Sequence, residues 1–144
     1  MPYTYDYPRP AITVDAVIFS KNKQLLLIQR NNPPFKGFWA FPGGFVDMNE
    51  TLEEAVAREL FEETGIQNIN LKQFQAFSGI NRDPRHRTIS IVFTGIIEKI
   101  IETKAGDDAG NAGWFDIINI PDLAFDHNEI LLNVIKSMFP KNLY

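Results

Sequence analysis

Cysteine is absent from the 144 residues, which removes disulfides, thiolate nucleophiles and sulfur-ligated metal sites from consideration. No apolar run approaches the roughly 20 residues that a membrane-spanning helix needs. The opening MPYTYDYPRP has no apolar core of the kind that marks a secretory leader. An excess of basic charge is missing too. Lys and Arg number 14 against 18 Asp and Glu, a net charge of −4, which argues against a general nucleic-acid binder. There is no internal repeat and no low-complexity tract. What remains is a chain with the size and apolar content of one ordinary globular domain, 44% hydrophobic, able to bury a core of its own. One domain over residues 1–144 is expected, with residues 1–10, rich in Pro and Tyr, as an extended N-terminal segment. The cytoplasm is the default compartment, and no membrane or nucleic-acid partner is expected.

The densest information lies in GFVDMNETLEEAVARELFEETGI, from Gly44 to Ile66. Thr51-x-x-Glu54 has capping-box form, Gly65 suits a left-handed stop, and Leu52 to Thr64 between them is rich in helix formers. On a helical wheel Leu52, Val56 and Leu60 make one apolar stripe. Glu59 and Glu63 sit on its edge, and Glu62 lies further round. Carboxylates beside an apolar face are costly to desolvate without a cation, and at these spacings they also repel one another. Two readings follow: a solvated acidic face neutralised by Arg58, or a divalent metal site.

Gly44, Glu50, Arg58, Glu59, Leu60, Glu62, Glu63, Gly65 and Ile66 stand at fixed offsets that resemble the Nudix box, with every defining position filled. A chance match is on the order of 10⁻⁹ per starting position at ordinary residue frequencies. The resemblance implies hydrolysis of a phosphoanhydride in a nucleoside diphosphate linked to a further group. It favours the metal reading, with Glu59, Glu62 and Glu63 as ligands and a backbone carbonyl of Gly43 or Gly44 as one more. Hard oxygen donors without sulfur point to Mg²⁺, or Mn²⁺. Arg58 is expected to orient a carboxylate, with Glu50 as first partner. The implied fold is α/β: the Nudix α/β/α sandwich with a mixed central sheet.

Outside the box, strands are expected over Ala11 to Phe19 and Gln24 to Arg30, with Lys21-Asn22-Lys23 as the turn. Asn31 to Gly37 is a loop containing proline, Phe38 to Phe41 a short strand, and Pro42-Gly43-Gly44 a turn. Lys72 to Ile80 and Thr88 to Ile101 read as strands around a loop at Asn81 to Arg87. Thr103 to Gly113 reads as an acidic, glycine-rich loop and Ala112 to Asp116 as a short strand. Asp126-x-x-Glu129 has capping-box form before helical spacing over Ile130 to Phe139.

The substrate must be read elsewhere. Arg82, Arg85, His86 and Arg87 cluster in an otherwise acidic chain, either as an exposed basic loop or as phosphate ligands. Phe77-Ser78-Gly79 followed by Arg82-Asp83-Pro84-Arg85 and Arg87-Thr88-Ile89-Ser90 is similar to the ADP-ribose pyrophosphatase branch. So are Gly106 to Ala109 before Trp114-Phe115, and Leu123 to His127. That resemblance implies ADP-ribose as substrate, giving AMP and ribose 5-phosphate, and a homodimer. The alternatives are a nucleoside triphosphate or another nucleoside diphosphate derivative as substrate, or a non-catalytic ADP-ribose sensor. Many relatives carry an acidic residue two or three positions before the Trp-Phe pair; Asn111 stands there, and an amide cannot accept a proton as a base does. Glu59 is therefore the first candidate for general base; Asp107 or Asp108 takes the missing residue's place as base or further metal ligand, Asp108 being the ligand nominated, or both are turn residues. Trp39 and Phe41 are core residues or stack on a base. Arg30 reaches phosphate or is solvated. His127 packs the last helix or contacts ribose or phosphate.

Overall fold

The computed structural model describes residues 2–103 and 109–140. Among them, seven strands form one mixed sheet with a helix on each face. The strands are β1 (Ala11–Ser20), β2 (Gln24–Arg30), β3 (Trp39–Ala40), β4 (Gly43–Phe45), β5 (Lys72–Phe77), β6 (Thr88–Ile97) and β7 (Ala109–Asp116); the helices are α1 (Leu52–Thr64) and α2 (His127–Met138). The path runs β3-β2-β1-β6-β5, with β4 added to β1 and β7 to β2. Only β1 and β6 run parallel, from Ala11↔Thr88 to Ser20↔Ile97; the other pairings are antiparallel. Among the described residues no helix is long and apolar enough to cross a membrane.

Strand alternation sorts β1 between two cores. Val14, Ala16 and Ile18 pack under α1 with Ala55, Val56 and Leu60. Val17 and Phe19 pack under α2 with Ile130, Leu131 and Val134. The implied α/β/α sandwich is thus observed. Asp15 falls on the α2 side of this alternation, a charged residue at a position built for a hydrocarbon.

Helix α1 has the expected bounds. Thr51 Oγ1 accepts from the Glu54 N–H at 3.1 Å, the Glu54 carboxylate accepts from the Thr51 N–H at 2.8 Å, and Gly65 closes the helix at φ 78°. Other expectations are corrected. Pro42-Gly43-Gly44 is not a turn: Gly43 to Phe45 is a strand, paired to Thr13, Val14 and Asp15. β7 reaches back to Ala109, where a loop was expected, because its backbone pairs with β2 as far as Arg30. β5 stops at Phe77 and β6 at Ile97, both short of their expected ends. The second capping box does not form. Asp126 caps α2 with no side-chain bond, because its carboxylate is taken by Arg82.

Candidate functional site

β1 has two partners along one edge. Phe19 pairs with Leu25 of β2, while Thr13 to Asp15 pair with β4. β4 is thereby held against β1 and over α1, and glycine is required at both of its first positions. A Cβ on Gly43 would lie 2.1 Å from the Val14 carbonyl oxygen, and one on Gly44 2.7 Å from the Glu59 carboxylate. The Gly43 N–H donates to Glu63 Oε1 at 2.7 Å. The two half-buried carboxylates of α1 therefore lie directly against the β4 backbone.

Arg58 organises the acidic cluster. It forks onto Glu50 (Nη2–Oε1 2.6 Å, Nε–Oε2 2.9 Å) and reaches Glu59 at 2.8 Å and Glu62 at 2.9 Å through Nη1. Nη2 also donates to the Phe45 carbonyl at 3.1 Å. The hydrogen bonds from Arg58, with one from the Asp47 N–H, hold the Glu50 carboxyl down at about 2. Glu50 is therefore ionised and paired with Arg58, the partner nominated from the sequence. Glu59 and Glu63 line the cleft above β4; Glu62 is exposed and turned onto Arg58. No three Asp, Glu or His side chains among the described residues are gathered as one ligand group. The donors available are hard oxygens on Glu59, Glu63 and β4, beside a glycine whose missing Cβ leaves Glu59 its place. That set fits Mg²⁺ or Mn²⁺.

Beyond β4 the cleft continues inward to Asp15, Phe41, Arg82, Phe125 and His127. The outer and inner parts share Arg30, Gly43, Gly44, Phe45, Glu63 and Arg85. Arg30 is half-buried, with Nε donating to the Pro34 carbonyl at 2.7 Å and the guanidinium 4.9 Å from the Phe125 ring centre. Burial, then neighbouring Arg85, pulls its pKa below the usual range. Arg85 forks onto Asp83 at 2.8 and 3.0 Å, yet lines both parts of the cleft.

The basic loop thus divides. Arg85 faces the cleft. Arg82, with its side chain 5% exposed, lines the inner part and is bidentate to Asp126 at 2.7 and 2.9 Å. Arg87 lies outside the cleft lining and reaches the Gly79 carbonyl at 3.4 Å. Trp39 is also away from it, packed edge-on to Phe115 at 4.7 Å. Asn111 donates to Gln29 Oε1 at 2.8 Å on the neighbouring strand. Asp107 and Asp108 fall outside the described residues.

His127 enters the site more deeply than a helix cap would. Its ring is 3% exposed, stacks on Phe41 at 4.5 Å, and accepts the Phe41 N–H at Nδ1. Burial lowers its pKa to about 3, so the ring is neutral and its proton sits on Nε2. Asp15, which the motifs did not reveal, is 7% exposed and accepts from Ser90 Oγ. Burial raises its carboxyl to about 6, against the opposing pull of Ser90 and Arg82. The signal was available: one ionisable residue on the core face of a ten-residue apolar strand.

A family model described as the NUDIX domain matches residues 9–136. An ADP-ribose pyrophosphatase of Methanocaldococcus jannaschii is 50% identical over 131 residues, covering 90% of this chain and 76% of that protein. An ADPR-responsive transcriptional repressor, NtrR, of Acinetobacter baylyi is 35% identical over 96% of this chain, which spans 58% of the repressor's length. The crystal structure of a bifunctional NMN adenylyltransferase/ADP ribose pyrophosphatase of Francisella tularensis, complexed with AMP and a Mn ion, superposes with a TM-score of 0.82 at 31% identity. That match covers 92% of this chain and 43% of the larger protein.

Proposed function

The chain belongs to the Nudix hydrolase family, and from that premise we propose that it cleaves the phosphoanhydride of ADP-ribose with water, giving AMP and ribose 5-phosphate. The observation that carries the proposal is one continuous cleft with carboxylates of the box at its outer end and Arg30 and Arg85 along it. The half-identical pyrophosphatase supports the choice of substrate.

Divalent metal chemistry is the family's, and Mn accompanies AMP in one similar structure. In this chain Glu59, Glu63 and the carbonyls of Gly43 or Gly44 would hold the ion, with Glu62 joining by release from Arg58; the choice of Mg²⁺ is part of the proposal. Bound, it would supply charge neutralisation for the diphosphate and for the leaving phosphate. The chain's own residues do the rest. Arg30 and Arg85 offer guanidinium forks to phosphate oxygens. Arg58 donates to Glu59, whose carboxylate lies beside Gly44. Glu59 is proposed to take the proton from the attacking water, since Asn111 cannot. The extended N-terminal segment exposes Tyr3, Tyr5 and Tyr7, an aromatic surface that suits a homodimer; light scattering decides it.

A second reading, ADP-ribose sensing without turnover, is favoured by the similarity to the repressor. One experiment separates the two. ADP-ribose, NADH, nucleotide sugars and nucleoside triphosphates are incubated with the protein and Mg²⁺ or chelator, and products are identified. AMP and ribose 5-phosphate from ADP-ribose, lost on chelation, are expected. Binding of ADP-ribose without products would replace hydrolysis with sensing, and preference for a triphosphate would replace the substrate.

A further inference from the structure

At the inner end of the cleft two buried polar groups face each other without touching. His127 Nε2 and Asp15 Oδ1 are 3.8 Å apart, too far for a hydrogen bond. The other atom of each is already engaged: Nδ1 by the Phe41 N–H and Oδ2 by Ser90 Oγ. The bond to Nδ1 fixes the proton on Nε2, so a donor and an acceptor confront one another across the pocket floor. Both residues line the cavity. No fully buried side-chain nitrogen or oxygen among the described residues lacks a partner, so Nε2, which bonds to none of them, reaches the cavity.

We propose that Asp15 and His127 form a clamp for one sugar hydroxyl, so that the inner pocket receives the terminal ribosyl group of a nucleoside diphosphate sugar. The inference rests on the functional reading above and extends it to which end of the substrate enters. A hydroxyl both accepts and donates through a single atom. Seated above the pair at about 2.8 Å from each atom, it accepts from Nε2–H and donates to Oδ1. An adenine edge engages the same pair only through two separate atoms, its amine and a ring nitrogen. The surroundings agree. Thr13, Asp83 and Thr88 add polar wall to the same pocket, as a polyhydroxyl group needs. Phe45, 41% exposed, offers an aromatic face where the outer and inner parts of the cleft meet. Arg82, bound to Asp126 at the start of α2, fixes the position from which His127 projects.

The test uses three ligands that change one end at a time: ADP-ribose, inosine diphosphate ribose, and the methyl ester of ADP, which lacks the sugar. A site built to hydrogen-bond a hydroxyl discriminates strongly against a ligand without one, so wild-type kcat/KM for ADP-ribose should exceed that for the methyl ester by about 100-fold or more. Asp15→Ala and His127→Leu should each reduce that preference to about tenfold or less while leaving the adenine-to-hypoxanthine ratio at its wild-type value. Collapse of the base ratio instead would put the base in the pocket and overturn the clamp. Equal loss on all three ligands, or no change of either ratio, would reduce the pair to packing and overturn it as well. Thermal denaturation checks each variant's fold, and His127→Leu carries the test if Asp15→Ala does not fold. Equilibrium binding of the same ligands in chelator keeps the two proposals apart. A wild type that binds but never hydrolyses removes the enzyme reading, and its binding preferences still decide the clamp.

Discussion

Removing the Arg82 guanidinium leaves the Asp126 carboxylate without either of its two charged hydrogen bonds, beside the neutral ring of His127. Breaking one side of a buried pair costs far more than an exposed charge does. Arg82→Ala is therefore expected to destabilise by about 3–5 kcal/mol in urea titration, and Arg87→Ala by about 0.5 kcal/mol or less. Similar losses in both would place Arg82 in solvent. Asp15 and His127 make a second prediction at this scale, because their shifts oppose each other. Asp15 ionises near 6 in the fold against 3.8 ordinarily; between these values the folded state holds the extra proton, and stability falls as pH rises. His127 ionises near 3 against 6.5; there the unfolded state holds the extra proton, and stability rises with pH. From pH 4 to 6 the two largely cancel. Neither is among the causes of the other's shift, so single variants should unmask them. Relative to wild type, Asp15→Asn should make stability climb with pH and His127→Gln should make it decline, each by up to about 1.4 kcal/mol per pH unit. Denaturant titrations at pH 4, 5 and 6 read this directly, and slopes displaced in the same direction would refute the assignment.

At the level of elements, β4 and α1 meet through two glycines whose replacement should fail differently. A methyl on Gly44 meets the end of the Glu59 side chain, which can rotate away. Gly44→Ala should keep its fold and lose kcat by an order of magnitude or more, on the order of what a displaced catalytic group costs. A methyl on Gly43 meets the Val14 backbone and the buried Asp15, so Gly43→Ala should lower the melting midpoint before activity is considered. A folded, active Gly43→Ala protein would contradict the β1–β4 pairing. The same elements explain what was legible in the chain. α1 was readable to the residue because Thr51, Glu54 and Gly65 are local stop and start signals that no distant contact overrides. β4 was not, because Gly-Gly has turn composition and becomes a strand only through its partner β1. The early start of β7 likewise depends on pairing with β2. In the site, the box and Arg85 were readable as motifs, whereas the inward course of Arg82 depends on where Asp126 arrives from α2. Asp15 belongs to no motif and becomes meaningful only once strand alternation assigns it a face.

Across the whole molecule, charge and architecture are set against each other at one end of the sheet. Glu50, Glu59, Glu62 and Glu63 converge there with Arg58, which touches the first three, while Arg30 and Arg85 line the same cleft. A cation bound among these carboxylates relieves their repulsion and ties α1 to β4, and anything that binds only the folded state stabilises it by mass action. At about 100 times its dissociation constant the gain is about 2.7 kcal/mol, or a rise of several degrees in the melting midpoint for a chain of this size. Mg²⁺ should therefore raise the midpoint in the absence of any nucleotide. Glu59→Gln and Glu63→Gln should remove most of that rise, and Lys21→Ala, outside the cleft lining and paired to exposed Glu98, should keep it. Differential scanning calorimetry with Mg²⁺ and with chelator measures all four proteins. A rise preserved in both Gln variants would move the metal away from α1, and with it the outer end of the cleft on which the hydrolytic reading depends.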